Sequence, residues 1–196
     1  MEYTKKFTAL QKGLSLIESA MVLAISAAVV SGVLYYYNHA KENRALEQGI
    51  KDVQNIAATI NKLYTNSATP MMNLSDVVEA ISVVSGVATK MVGQNKVFVN
   101  PTGSYTQFWW DTTSRKYTLE ILTNSISSCM SYATLNLGTL MAGKTQITPS
   151  NGSAGGHGDP TPPYNLTPAD ASSLCKENMN KGQAGSFVKI RYTMQY

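Results

Sequence analysis

Between residues 19 and 40 the chain carries no Asp, Glu, Lys or Arg, and this run constrains the fold more than any other feature. At ~1.5 Å per residue, a helix over it reaches ~33 Å, enough to cross the hydrocarbon core of a bilayer. Three consecutive tyrosines, Tyr35, Tyr36 and Tyr37, stand where an interfacial aromatic belt is expected. Lys5, Lys6 and Lys12 precede the run, so the positive-inside tendency leaves the N-terminus in the cytoplasm and exports everything after Tyr37. One residue does not fit a plain membrane anchor. Glu18 lies four residues into an apolar stretch that begins at Leu14, and an acid at membrane depth is costly enough to imply a task.

The 196 residues fit one compact domain plus an appendage, and 43% hydrophobic content is sufficient for a core. Of the net charge of +4, Lys5, Lys6, Lys12 and Glu2 place +2 in the first thirteen residues. The remainder has a weak basic balance without an Arg/Lys stripe, which argues against nucleic acid as a partner.

Three readings compete for the N-terminus. A secretory signal peptide cut near Ser26-Ala27-Ala28 needs an uninterrupted apolar centre, and Glu18 interrupts it. A plain signal anchor leaves Glu18 without a role. In the third reading the cut falls between Gly13 and Leu14, on the cytoplasmic side, and the mature chain begins Leu14-Ser-Leu-Ile-Glu18. A short basic leader, a Gly, a hydrophobic first residue, an acid at the fifth mature position and then a membrane helix resemble the type IV pilin family. GLSLIESAMVLA, with Leu following the Gly, resembles its type IVb branch, which includes bundle-forming and conjugative thin-pilus pilins. The resemblance implies that a prepilin peptidase cleaves after Gly13 and N-methylates Leu14.

Physical chemistry makes the motif intelligible. The new α-amine of Leu14 is a cation, and Glu18 is an anion about one helical turn away. Among packed parallel helices, the amine of an incoming subunit can pair with Glu18 of a neighbour, removing two costly charges together. An apolar helix otherwise slides without register, and one buried ion pair fixes it. Pairing of Glu18 with its own N-terminus is the alternative.

Helical periodicity continues beyond the membrane run through Leu46, Ile50, Val53, Ile56, Ile60 and Tyr64, with charges at the other positions. The spacing predicts one helix over residues 14–64, with Gly32 and Gly49 as weak points and Gly32 as the place to bend or locally unwind. A second amphipathic helix carries Leu74, Val77, Val78, Ile81, Val84 and Val87, capped by Asn73 or Ser75 and weakened by Gly86. Strands are predicted over residues 96–100, 105–110 and 115–122; in the last, Tyr117, Leu119 and Ile121 alternate with Thr118 and Glu120, giving one covered face and one wet face. Residues 124–137 read as helical and 148–165 as a low-complexity Gly/Ser/Pro stretch. Thr167-Pro168-Ala169-Asp170 reads as a helix start, and the alternation over residues 187–192 as a closing strand. The fold class is therefore α+β: a long N-terminal α-helix, half membrane-grade and half amphipathic, packed on an antiparallel β-sheet. The expected organisation is a leader over 1–13, a hydrophobic helix over 14–40 and a globular domain over 41–196.

Cys129 and Cys175 fall on the two helices that flank the low-complexity stretch, and two cysteines in an exported domain pair. The pairing resembles the disulfide-bounded C-terminal region of type IV pilins, here residues 129–175. Catalytic chemistry has little support: His39 and His157 are the only histidines, Gly155-Gly-His-Gly158 lacks the context of a phosphate loop, and no cofactor or metal set is legible. Phe108-Trp109-Trp110 reads as sheet packing, with a carbohydrate-stacking surface as the alternative.

The resemblance implies a structural subunit, a major pilin, which polymerises with itself through its N-terminal helix into an extracellular filament for adhesion, aggregation or mating-pair contact. It further implies a precursor held in the inner membrane of a Gram-negative cell and, as partners, an assembly ATPase, a platform protein and a secretin. A host-cell or bacterial surface receptor would meet the finished filament. A minor pilin or type II secretion pseudopilin is the rival within the superfamily. A membrane-anchored periplasmic binding domain using Trp109 and Trp110 is the rival outside it.

Overall fold

The computed structural model describes residues 16–66, 73–111, 114–150, 164–181 and 187–196. The chain divides into two compact units, residues 1–42 and residues 43–196, each treated separately below. Helix α1, Leu16–Tyr64, contributes to both.

In the first unit every large apolar side chain of α1 is exposed, from Leu16 (88%) to Tyr37 (64%). The serines of this run satisfy themselves locally. The hydroxyls of Ser19, Ser26 and Ser31 donate to the carbonyls of Leu16, Val22 and Ala27 at 3.0, 2.6 and 2.7 Å. Such back-bonding keeps polar atoms paired without water, which a bilayer segment requires. The helix does not unwind at Gly32 as its composition predicts. A single Gly costs only ~1 kcal/mol against Ala, and the Ser31 hydroxyl returns to its own helix.

The second unit is an antiparallel sheet of six strands with helices against it. Its members are β1 (Thr89–Val92), β2 (Asn95–Val99), β3 (Tyr105–Asp111), β4 (Lys116–Thr123), β5 (Gln146–Pro149) and β6 (Val188–Gln195), in the spatial order β1-β2-β3-β4-β6-β5. The C-terminal strand β6 is thus central, pairing with β4 over eight positions and with β5 over four. The remaining helices are α2 (Leu74–Ser85), α3 (Ile126–Ala133) and α4 (Pro168–Lys181). Val53, Ile56, Ala57, Ile60 and Tyr64 of α1 join Phe108, Leu119, Ile121, Tyr192 and Met194 in one buried cluster. Burying each large side chain contributes about 1.5–3 kcal/mol. This is the amphipathic face that the helical spacing predicts.

Local chemistry fixes the element ends. Asn73 caps α2 by accepting from the Ser75 amide at 3.1 Å. Gly86 ends it, with φ of 76° and its amide on the Ser82 carbonyl at 2.9 Å. Gly86 is therefore a stop and not a flaw within the helix, since only Gly adopts that left-handed conformation cheaply. Thr167 and Asp170 form the expected box at α4: the Asp170 amide donates to Thr167 Oγ1 at 3.2 Å and the Thr167 hydroxyl to Asp170 Oδ2 at 2.7 Å.

Two strands are absent from the sequence reading. β1 is joined to β2 through Gly93-Gln94, with Gly93 at φ 62°, a two-residue hairpin turn. β5 lies at the margin of the low-complexity stretch and is held by pairing with β6. The expected wet face of β4 is also corrected: Thr118 and Glu120 are 1% and 3% exposed. Arg191 of β6 donates to Glu120 Oε2 from Nη2 at 2.5 Å and from Nε at 3.2 Å, and its guanidinium lies 4.9 Å from the Trp109 ring centroid. A strand flanked on both sides acquires cover from its neighbours, and that cover comes from 71 residues away in sequence.

Gly49, read as a weak point of α1, is a close-packing position. A Cβ built there would sit 2.0 Å from the Tyr132 hydroxyl and 3.0 Å from Asn100 Oδ1. Gly49→Ala gains about 1 kcal/mol of helix propensity and meets overpacking at the upper end of about 1–3 kcal/mol. The expected net loss is about 2 kcal/mol in denaturant unfolding of the detergent-solubilised chain. Adding Tyr132→Phe removes the clashing oxygen, while Asn100 Oδ1 keeps its bonds from the Thr102 amide and hydroxyl. The double variant should recover most of the loss, and strictly additive effects would refute the close approach.

Candidate functional site

The residues singled out in the sequence fall in two places. Gly13 and Leu14 lie outside the described residues. Glu18 stands in the first described turn of α1. The helix from Leu16 holds an eighteen-residue window long and apolar enough to cross a membrane, none of it buried. A helix apolar all round and uncovered requires lipid or other apolar helices around it.

The second place is the disulfide-bounded region. Cys129 on α3 and Cys175 on α4 form a disulfide, with Cα atoms 6.0 Å apart and both residues fully buried. α4 buries Ala171, Cys175 and Asn178 and packs Leu174 and Met179 partly against the core, so the bond adds a covalent tie to a modest apolar attachment. α3 is anchored more deeply. Tyr132, one turn beyond Cys129, donates its hydroxyl to Asn100 Oδ1 at 3.3 Å, and its carbonyl accepts from the Tyr192 hydroxyl at 2.5 Å. Burial pushes the pKa of both phenols up, so both stay protonated as donors. The sequence offered no sign of this Gly49–Tyr132–Tyr192 junction, because its members lie on three elements far apart in the chain.

The aromatic run resolves into packing. Trp110 lies within an edge-on cluster with Tyr64 (5.0 Å), Phe108 (4.9 Å) and Tyr196 (4.9 Å), and Trp109 lies beneath Arg191. Both rings are half-buried. His39 stacks edge-on to Tyr35, and His157 lies outside the described residues. Among the described residues no cluster of three or more His, Cys, Asp and Glu side chains is placed to hold a metal ion.

A long N-terminal helix with an uncovered apolar half, and an α+β domain with a disulfide-closed C-terminal region, define the type IV pilin class of protein. The family model described as Bundlin matches residues 38–195, and the chain belongs to the bundlin family. Over 193 residues it is 30% identical to the major structural subunit of bundle-forming pilus from Escherichia coli O127:H6 (strain E2348/69 / EPEC), covering 91% of this chain and 95% of that protein. The corresponding subunit of Escherichia coli O111:H- is 30% identical over the same span.

Proposed function

We propose that this chain is the major structural subunit of a type IV pilus, a self-polymerising protein of an extracellular filament. The observation that carries this reading is the likeness to the bundle-forming pilus subunits across 91% of the chain, which takes in both the apolar helix and the disulfide-closed domain. The precursor is held in the inner membrane by α1, a prepilin peptidase cuts between Gly13 and Leu14 and methylates the new amine, and Glu18 receives that amine from a neighbouring subunit. An assembly ATPase, a platform protein and a secretin extrude the polymer. Its contacts with host or bacterial surfaces then serve adhesion, aggregation or mating. The globular domain works as filament body and surface, with no part in catalysis.

Intact mass and N-terminal sequence of protein sheared from the cell surface test the reading. The expected species begins at N-methylated Leu14 and is two hydrogens light for the disulfide. A chain beginning at Met1, or absent from the sheared fraction, would return the protein to the class of anchored periplasmic domains.

A further inference from the structure

We propose that β6 is a closing latch for the disulfide-bounded region: its pairing with β4 builds the seat on which Cys129 and Cys175 meet, so the bond forms after β6 has docked. β6 follows every other described element in sequence and yet lies inside the sheet, between β4 and β5. Until it arrives, β4 presents an unpaired edge of eight positions. β5 then has no neighbour among the described strands, since its four positions pair with β6. The region is stitched to β6 at several further points. The Tyr132 carbonyl of α3 accepts from the Tyr192 hydroxyl at 2.5 Å, and the Thr139 carbonyl accepts from Gln195 Nε2 at 3.2 Å. The Ala142 amide donates to the Thr193 carbonyl at 2.9 Å, and Met141 bridges to Met194.

The side chains of β6 supply the seat. Val188, Ile190, Tyr192 and Met194 alternate along the strand, all fully buried, in one cluster with Cys129, Ala171 and Cys175. α3 and α4 both touch β6. The two helices differ in how they reach it. α3 follows directly on β4, and its Tyr132 hydroxyl donates to Asn100 Oδ1 at 3.3 Å, a bond that does not involve β6. α4 begins far along the chain at Pro168 and meets α3 where it packs on β5, which β6 holds. One cysteine is therefore placed early and the other only through β6. Forming the bond removes two electrons and two protons from two thiols. One thiolate attacks the disulfide of a dithiol–disulfide oxidoreductase to give a mixed disulfide; the other displaces it, and the carrier leaves as a dithiol. Without β6 the second thiol lies at the end of a loose loop between residues 46 apart, and the displacement waits on chain diffusion. The coupling is reciprocal: what β6 contributes to the bond, the bond returns by holding the region on β6.

The test uses the full chain, solubilised in detergent, reduced, and equilibrated with mixtures of reduced and oxidised glutathione; alkylation and intact mass then count the bonded pairs. Val188→Ala with Tyr192→Phe loosens β6, while Val78→Ala with Phe98→Leu loosens α2 and β2, which lie towards the other end of the sheet. The two double variants are compared at equal loss in denaturant unfolding, with denaturant added to the more stable one. The effective concentration of the cysteine pair should fall about tenfold or more in the first, the scale of a lost buried hydrogen bond and methyl groups, and stay within about twofold in the second. Equal falls in both, or none from the β6 pair, overturn the latch. Should the β6 variant fail to fold, refolding of the unaltered reduced chain in oxidised glutathione decides, read by pulsed hydrogen exchange. Protection of β6 amides no later than the bond appears supports the order, and a bond complete before β6 is protected refutes it.

Discussion

Glu18→Ala should abolish filament yield while the precursor still inserts in the membrane. α1 carries no Asp, Lys or Arg near Glu18 within its apolar run, so the substitution leaves insertion of the helix no harder than before and slightly easier. In the proposed assembly, what it removes is the acceptor for the amine of an incoming subunit. Leaving one member of a buried pair uncompensated costs about 3–5 kcal/mol, which is more than a hundredfold in the affinity of each docking step. Repeated along a polymer, that penalty leaves essentially no filament. Glu18→Gln separates charge from hydrogen bonding, and it should fail nearly as completely if the ion pair sets register. Membrane fractionation and the mass of pilin in the sheared fraction measure the two halves of the prediction. Normal yield from Glu18→Ala would end the register argument.

Loss of the disulfide, through Cys129→Ala with Cys175→Ala, should destabilise the second unit by about 4 kcal/mol in the chain-entropy account, since the bond closes a loop between residues 46 apart. The damage should be uneven. α4 is a polar helix that buries only Ala171, Cys175 and Asn178 fully, whereas α3 keeps Tyr132 locked between Asn100 and Tyr192. Without the bond, α4 and β5 should open as a local unit, and their amides should lose hydrogen-exchange protection well before those of β4 and β6. Equal protection of α4 and the central strands in the alanine pair would show that the bond is incidental to the attachment of α4.

The residues proposed to bear on polymerisation were legible one at a time. The apolar run, the acid Glu18 within it and the proposed cleavage step at Gly13-Leu14 are local chemistry, and local chemistry is written in consecutive residues. The amphipathic half of α1, the Thr167–Asp170 box and the Asn73 cap belong to the same kind, because helical period and capping act over three or four positions. Even the pairing of Cys129 with Cys175 needed only their number and the export of the domain.

Other features required partners distant in the chain. Glu120 looked solvent-facing by alternation and is buried, because Arg191 reaches it across β4 and β6. Gly49 looked like a helix weakness and is where the Tyr132 hydroxyl and Asn100 leave no room for a Cβ on α1. β5, four residues beside a Gly-rich stretch, exists only because β6 pairs with it. The sequence by itself determined the apolar helix, its acid and the covalent tie, since each depends on the intrinsic cost or reactivity of neighbouring groups. Only the tertiary structure decided which polar groups are buried, where backbones touch and which edge of the sheet stays open, since those depend on long-range pairing that no local period encodes.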